Sequence, residues 1–432
     1  MPTFSIFTFG CRLNQADSAL LVNQLDQHGF IQLPWGQVAD LILINSCTVT
    51  AVAAQKNRQA VNKARRFAPD SFIVLLGCDA SAEKESWGKN EKIDLFIPNP
   101  KPDDIFPLLP EKLFHNTGLP AQYFAAPALQ ENFTISGTGF YPDKTRANLK
   151  IQEGCDYFCS YCIVPYTRGP SRSRNLQDVL REAEELLSRG HKELVLSGVN
   201  ISCYQNSGKN LPALIAEILK LGNDFRIRLG STEPGECLDE LIDLMAENKQ
   251  ICRFLHLPLQ YGEDSILQKM GRHYDSATYK KVVDKAAEIM PGICLGTDII
   301  AGFPGETEET FKKCKEFVKS IPFALMHVFP YSERKGTAAA EFKNRPTKQK
   351  ATERAAILRK IATDKYKKFA ESQIGETLEV LLEKDSPNAE GWSDNYLKVK
   401  VKSDKMLLAN NFIKAKVNSC EKNRTVIATA IS

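Results

Sequence analysis

The segment KIQEGCDYFCSYCIVPYTRG, residues 150–169, holds Cys155, Cys159 and Cys162 at a C-x3-C-x2-C spacing. A structural zinc site closes with four ligands, and a disulfide framework takes an even count of cysteines. Three thiolates in one short loop leave a metal position to be filled from elsewhere in the chain or by a small molecule. Clustered thiolates favour iron–sulfur clusters or zinc among biological metals.

The text around this segment says where the loop sits. A strand candidate, ANLKIQEG, runs into it. ELVLSG, RIRLGS, RFLHLPLQ, GICLGTDIIAGF and ALMHVFPYS follow, separated by helical stretches such as LQDVLREAEELLSRG and ETEETFKKCKEFVKS. That makes six repeats of one β/α unit, too few for a closed eightfold barrel but enough for a partial one. The cysteine loop follows its first strand, and β/α barrels carry their active sites at the C-terminal strand ends.

Upstream, TFSIFTFG, DLILINS, FIVLLG and IDLFIPN read as strands, with NQADSALLVNQLDQHG and the basic AVAAQKNRQAVNKARRF as helices. This alternation predicts a doubly wound parallel sheet. Residues 104–145 turn irregular and rich in Pro, Gly and Asn, as a linker does. Downstream of a long basic helix at about 347–371, the segments ETLEVLLEK, NYLKVKVKS, NNFIKAKVNS and RTVIATAIS alternate apolar and polar residues, which predicts a small antiparallel β-barrel. The expected fold class is α/β, with units at 1–103, 146–371 and 372–432 joined through 104–145.

The chain has 432 residues, 25% charged, with a net charge of +4, too little by itself to argue for nucleic acid. No apolar run is long enough to span a bilayer, and the N-terminus lacks a basic signal region. The expectation is a cytoplasmic protein with no membrane partner. In that reducing setting the 12 cysteines are metal ligands or buried thiols rather than disulfides.

A second trio emerges from the predicted sheet. Cys11 follows IFTFG, Cys47 follows LILINS and Cys78 follows IVLLG, each just past a strand's C-terminal end. In an open parallel sheet those ends share one edge, where ligands bind. Small thiols also suit such turns, but three at equivalent places point to a second metal cluster. Gly10 and Gly77 precede two of them. Cys203, Cys237, Cys252, Cys294, Cys314 and Cys420 share no spacing and are read as packing thiols.

The C-x3-C-x2-C loop resembles the signature of the radical S-adenosylmethionine superfamily, whose fold is a six-unit partial barrel. A zinc knuckle borrowing a distant ligand is the alternative. Together with TFGCRLNQADS, NSCTVT, LLGC, LSGVNIS, PLQYG, GFPGETEETF, HVFPYSERKGT and the tail GWSDNYLKVKV, the chain resembles the methylthiotransferases along essentially its whole length, the tail being similar to their RNA- or substrate-gripping TRAM domain.

The resemblance implies two [4Fe–4S] clusters. Cys155, Cys159 and Cys162 hold the catalytic one, whose open iron takes S-adenosylmethionine to make a hydrogen-abstracting radical. Cys11, Cys47 and Cys78 hold an auxiliary one that delivers sulfur, and a second S-adenosylmethionine gives the methyl group. Such cofactors do what acid–base chemistry cannot at an unreactive C–H bond. The resemblance places Tyr161 beside the adenine, and the stretch Ser197, Gly198 and Asn200 at the methionine amino group. Ser231, Glu233 and Asp298 are candidates to face the cofactor cavity, with strand-end hydrogen bonding an equal alternative. GFPGE lacks the Lys and Ser/Thr of a phosphate loop and reads as a cofactor-wall turn.

The family commonly has a small hydroxyl residue where Tyr261 stands and often a His where Phe254 stands, and GCDASA replaces a glutamine-containing run. These departures bear on the substrate pocket. FGCRLNQADS and RGPSRSR look most like the branch that acts at C2 of N6-threonylcarbamoyladenosine in tRNA. The other readings are N6-isopentenyladenosine in tRNA, a ribosomal-protein aspartate, or a non-enzymatic iron–sulfur or zinc protein that binds RNA.

The partners implied are tRNA, an electron donor such as flavodoxin or ferredoxin, and a sulfur source; a monomer is expected. Arg168, Arg172 and Arg174 are candidates to pair with phosphates or a substrate carboxylate. The ten Lys/Arg against two Asp/Glu in 343–368, and Lys56, Arg58, Lys63, Arg65 and Arg66, form candidate basic faces, with ordinary solvated helix faces as the alternative. Trp392 and Tyr396 are candidate base-stacking residues or core.

Overall fold

The computed structural model describes residues 1–98, 105–110, 113, 122–123, 132–141, 145–235, 237–421 and 425–431. Strands Thr3–Thr8, Leu41–Ser46, Phe72–Gly77 and Leu95–Pro98 lie side by side in one parallel sheet, extended by the short Ile31–Gln32 and Gln122–Tyr123 at its two edges. The two central strands, LILINS and FIVLLG, are buried at every position, as expected for a sheet with helices on both faces. Helix Arg12–Gln27 starts directly after Cys11, and helix Ala51–Phe67 is capped by Thr50, whose side chain accepts from Ala53 N. Much of 104–145, read as a linker, lies outside the described residues, although Gln122–Tyr123 of it joins the sheet.

The second unit has six parallel strands in chain order: Arg146–Lys150, Glu193–Ser197, Arg226–Leu229, Phe254–His256, Cys294–Ala301 and Leu325–Pro330. Single bridges at Ile227–Ile251 and Ser231–His256 join its two halves. Strand alternation divides the residues sharply. Ala147, Leu149, Leu194, Leu196, Ile227 and Leu229 pack outward into the main core, which leaves Arg146, Lys150, Glu193, Ser197, Arg226 and Arg228 on the inner face. The inner face of these first three strands is therefore mostly charged or polar, and something polar must cover it.

At one end the filler is the C-terminal domain. Its closed barrel has five strands, Thr377–Leu382, Ser386–Ser393, Lys398–Leu407, Phe412–Cys420 and Val426–Ala430. Sequence patterning predicts only four. The missed SPNAEGWS carries Pro, Asn and Gly, which read as a turn, yet Gly391 is needed because a Cβ there would stand 2.2 Å from Leu381 O.

The loop after that strand docks beneath the charged inner face. Arg226 donates to Trp392 O at 2.9 Å, and Arg228 to Ser393 O and Asp394 O at 3.0 Å each. Both guanidinium groups clamp Glu193, at 2.6 and 2.7 Å, and hold its buried carboxyl well below the usual carboxylate range in spite of desolvation. Removing one member of such a buried cluster costs about 3–5 kcal/mol, because the rest stay charged without a partner. Among the described residues, no helix is long and apolar enough to cross a membrane.

Candidate active site

The C-x3-C-x2-C loop is shaped by backbone more than by side chains. Gly154 sits at φ +72°, and a Cβ on it would lie 1.9 Å from Pro170 O, so the chain can pass here only as glycine. Cys155 N donates to Gly169 O at 3.1 Å and Cys162 N to Cys159 O at 2.9 Å. Ser160 pins the loop to the end of helix Asp264–Met270 through its N on Met270 O (2.9 Å) and its Oγ on Lys269 O (2.7 Å).

Arg272, just beyond that helix, donates to Cys159 Sγ at 3.2 Å and to the Tyr161 hydroxyl at 3.3 Å, while Glu233 pairs with its other nitrogen. Burial pushes the Cys155 thiol up to about 11 and that of Cys162 up to about 12. A bound metal must therefore displace their protons, as metals do at thiol sites.

Strand order alone gathers the second trio. Thr3–Thr8, Leu41–Ser46 and Phe72–Gly77 are adjacent, so Cys11, Cys47 and Cys78 emerge at one edge. Gly10, at φ +99°, lies against Cys47, and a Cβ there would come within 2.9 Å of its Sγ. Cys47 is fixed by Asn57, whose Nδ2 donates to Cys47 O at 2.8 Å. Cys47 and Cys78 are buried and Cys11 is exposed. Burial again raises the Cys47 thiol, to about 11, and the Cys78 thiol. Arg168 donates to Cys78 Sγ at 3.1 Å, to Asn14 Oδ1 at 2.8 Å and to Glu153 Oε1 at 2.6 Å, and it pairs with Asp17 at 3.2 Å.

Two cavities lie between these groups. The larger, about 320 Å³, is walled by Cys11 and Arg12 of the first domain, by Ser197, Gly198, Ser231, Phe254, His256, Asp298 and His327 of the partial barrel, and by Tyr396 of the C-terminal barrel. The smaller, about 170 Å³, is walled by Tyr161, Cys162, Gln260, Asp298 and Ile300, with Val49 and Thr50 from the loop after Cys47. Asp298 borders both, and its Oδ2 lies 3.3 Å from His256 Nε2. Burial lowers the His327 pKa, against the opposing pull of Asp298.

The structure thus gathers Ser197, Gly198, Ser231 and Asp298 about one cavity. Asn200 is not on either wall: its side chain accepts from Ser202 N and donates to Cys203 Sγ at 3.1 Å, capping a turn. Glu233 is taken up by Arg272. The arginine cluster is not available to phosphates, which corrects the expectation from sequence. Arg168, Arg172 and Arg174 are all at least nine-tenths buried, Arg172 against Glu153 and Arg174 against Asp178 and Glu182.

Tyr396 stacks on Phe254 at 4.4 Å between ring centroids instead of standing free for a base. Tyr261 is fully buried away from both cavities, so of the two unusual aromatic residues only Phe254 shapes a wall. Of the six packing thiols, Cys252, Cys294 and Cys314 are buried as such, whereas Cys203 sits by Asn200 and close enough to Cys155 for their charges to interact. Arg272 and His256 carried no sequence signal, and Arg12 and His327 lie in the quoted stretches FGCRLNQADS and HVFPYSERKGT without a role assigned to them. Each is placed by packing between distant elements.

The donor sets fit iron–sulfur clusters with S-adenosylmethionine. Among the described residues no three His, Cys, Asp or Glu side chains converge on one point as a single metal ion requires. A cluster needs no such point, since each thiolate takes its own iron. Each trio has one arginine N–H on a sulfur, the kind of outer hydrogen bond that tunes a cluster. The Ser197 hydroxyl on the larger cavity is buried without a protein partner, as a ligand-facing group would be.

Residues 149–318 match the radical SAM superfamily, and residues 3–98 match the family described as uncharacterized protein family UPF0004. The chain is 34% identical to the threonylcarbamoyladenosine tRNA methylthiotransferase MtaB of Aquifex aeolicus, over 91% of this chain and 95% of that protein. It is also 34% identical to the tRNA-2-methylthio-N(6)-dimethylallyladenosine synthase of Lawsonia intracellularis, over 89% and 87%.

Among solved structures, the radical S-adenosylmethionine methyltransferase TsrM of Kitasatospora setae shares the fold, with a TM-score of 0.56 at 17% identity over 76% of this chain and 73% of that one. Two cysteine trios, each with one member on the wall of a cavity that Asp298 borders, on this fold and with these relatives, lead to one conclusion: the chain belongs to the radical SAM tRNA methylthiotransferase family.

Proposed function

We propose that this enzyme adds a methylthio group at C2 of N6-threonylcarbamoyladenosine in tRNA, with Cys155, Cys159 and Cys162 holding the S-adenosylmethionine-binding [4Fe–4S] cluster and Cys11, Cys47 and Cys78 the auxiliary one. When bound, these groups supply one-electron cleavage of S-adenosylmethionine on one side and sulfur on the other. The observation that carries the reading is the larger cavity, because Cys11 and the barrel residues Ser197, Ser231 and Asp298 wall the same space. Asp298 also borders the smaller cavity, which Cys162 walls, and this supports a substrate carbon held between the two centres. Ser197, Gly198, Ser231 and Asp298 orient S-adenosylmethionine, Tyr161 lines the side nearer Cys162, and Phe254 and Tyr396 exclude water behind the base.

The MtaB-named relatives support the threonylcarbamoyl substrate. Contact with tRNA is supported by exposed Lys56, Arg58, Lys63 and Arg66 on one helix, and by exposed Lys343, Lys348, Lys360 and Lys368 around another. Part of the charge run at 343–368 has other work: Arg354 is buried against Glu306 and Glu308, and Lys365 caps Lys319 O and Ile321 O.

Nucleoside mass spectrometry of tRNA from a deletion strain tests the proposal. Loss of the methylthio-threonylcarbamoyl nucleoside is expected. Unchanged nucleosides would overturn a tRNA function, and loss of the isopentenyl derivative alone would move the enzyme to that substrate.

A further inference from the structure

A threonylcarbamoyl substituent carries a carboxylate, and an isopentenyl group carries no charge. A cavity that accepts the first must supply a cation or leave the carboxylate desolvated at a cost of several kcal/mol. The sequence offered Arg168, Arg172 and Arg174 for this task, but the fold spends all three on internal acids. Among the residues walling either cavity there is one arginine, Arg12, and no lysine.

Arg12 stands in the first turn of its helix, immediately after Cys11. Among the described residues it makes no ion pair. Its Nη2 donates to the Tyr396 hydroxyl at 2.9 Å, and its guanidinium lies 5.7 Å from that ring's centroid. Tyr396 is itself fixed, stacked on Phe254 and covered by Arg228 at 5.0 Å, in a left-handed backbone conformation at φ +62°. A guanidinium held by one nitrogen keeps its other N–H groups for a planar anion. The histidines on that wall are weaker candidates: His256 sits against Asp298, and burial disfavours the charged form of His327.

We infer that Arg12, braced by Tyr396, is the specificity residue that binds the carboxylate of the substrate's threonylcarbamoyl group. This rests on the substrate proposed above and adds the group that reads it.

The test uses the reconstituted full-length enzyme and matched tRNAs carrying threonylcarbamoyladenosine as the free acid, as its methyl ester, and isopentenyladenosine. With wild type, esterification raises KM on the order of 10- to 100-fold, the usual worth of a hydrogen bond to a charged group. Arg12→Gln, at wild-type iron content, raises KM for the acid by a similar factor and no longer distinguishes acid from ester. Arg12→Lys recovers part of the loss.

Equal weakening of acid and ester by Arg12→Gln would overturn the inference, since that is what a phosphate contact or a structural role gives. An unchanged KM would overturn it too. If the wild type turns over the isopentenyl tRNA and neither threonylcarbamoyl form, the substrate proposal itself falls, a result separable from the other two.

Discussion

Cys155, Cys159 and Cys162 come from one loop, whereas Cys11, Cys47 and Cys78 come from the ends of three strands that only sheet order makes neighbours. The local trio is built by backbone strain: Gly154 and Phe158 both take positive φ, and the loop is pinned from outside through Ser160. The dispersed trio sits on regular strands, and its precision comes from a buried sheet. Yet both converge on the same outer feature. One arginine donates to one sulfur in each, Arg272 to Cys159 and Arg168 to Cys78, and each arginine is held by a glutamate. An arginine on one sulfur in each trio would give a negatively charged cluster at either site the same outer hydrogen bond.

The largest expected effect separates the roles of the trios. Cys159→Ala should abolish formation of 5′-deoxyadenosine by the reduced enzyme, while Cys78→Ala should keep it and lose the methylthio product. Each variant should retain half the iron. If Cys78→Ala also failed to cleave S-adenosylmethionine, the division of labour between the sites would be wrong.

A smaller contrast concerns the arginines. Arg168 is tied to Glu153, to Asp17 and Asn14 of the first domain, and to Cys78. Arg168→Met leaves Glu153 with Lys150 and Arg172, and Asp17 with Lys150, but it removes two ion pairs together with the hydrogen bonds to Cys78 and Asn14, and should cost about 3–5 kcal/mol in urea unfolding. Arg272→Met strands Glu233 alone and should cost about 2–3 kcal/mol by the same reasoning. Equal losses would mean that Arg168 does not tie the first domain to the barrel.

The same contrast explains what could be read from the sequence. The spacing of Cys155, Cys159 and Cys162 is visible because a loop keeps its ligands adjacent, and the strands are visible because LILINS and FIVLLG are apolar throughout. Cys11, Cys47 and Cys78 became readable only once the strands were assigned, since their common edge is a property of topology. The fate of the arginines was not readable. RGPSRSR looks like a phosphate-binding run, and only the packing of Glu153, Asp178 and Glu182 against it shows that those charges are spent internally. Arg12 was hidden for the opposite reason: nothing in GCRLN says which charged residue will be left without an acid. The strand SPNAEGWS was missed because its glycine serves a close backbone approach that has no one-dimensional signature.

The smallest effects test how each trio uses glycine. Gly271 stands in the left-handed region at φ +71°, and a Cβ there would meet nothing closer than Cys159 Cα at 3.7 Å, an ordinary contact. Gly271→Ala should therefore cost about 1–2 kcal/mol of conformational strain and leave both clusters in place. Gly10, at φ +99°, has no such room, because a Cβ would stand 2.8 Å from Cys47 Cβ. Gly10→Ala must push Cys47 aside, and Asn57 resists by holding its backbone. Iron analysis of the two variants is the measurement. Gly271→Ala should match wild type, and Gly10→Ala should lose the auxiliary share while still cleaving S-adenosylmethionine. If Gly10→Ala kept all its iron, the dispersed trio would have slack that its buried sheet is not expected to allow. The local loop, with its exposed Phe158 and its tether through Ser160, would then be the more rigid of the two sites.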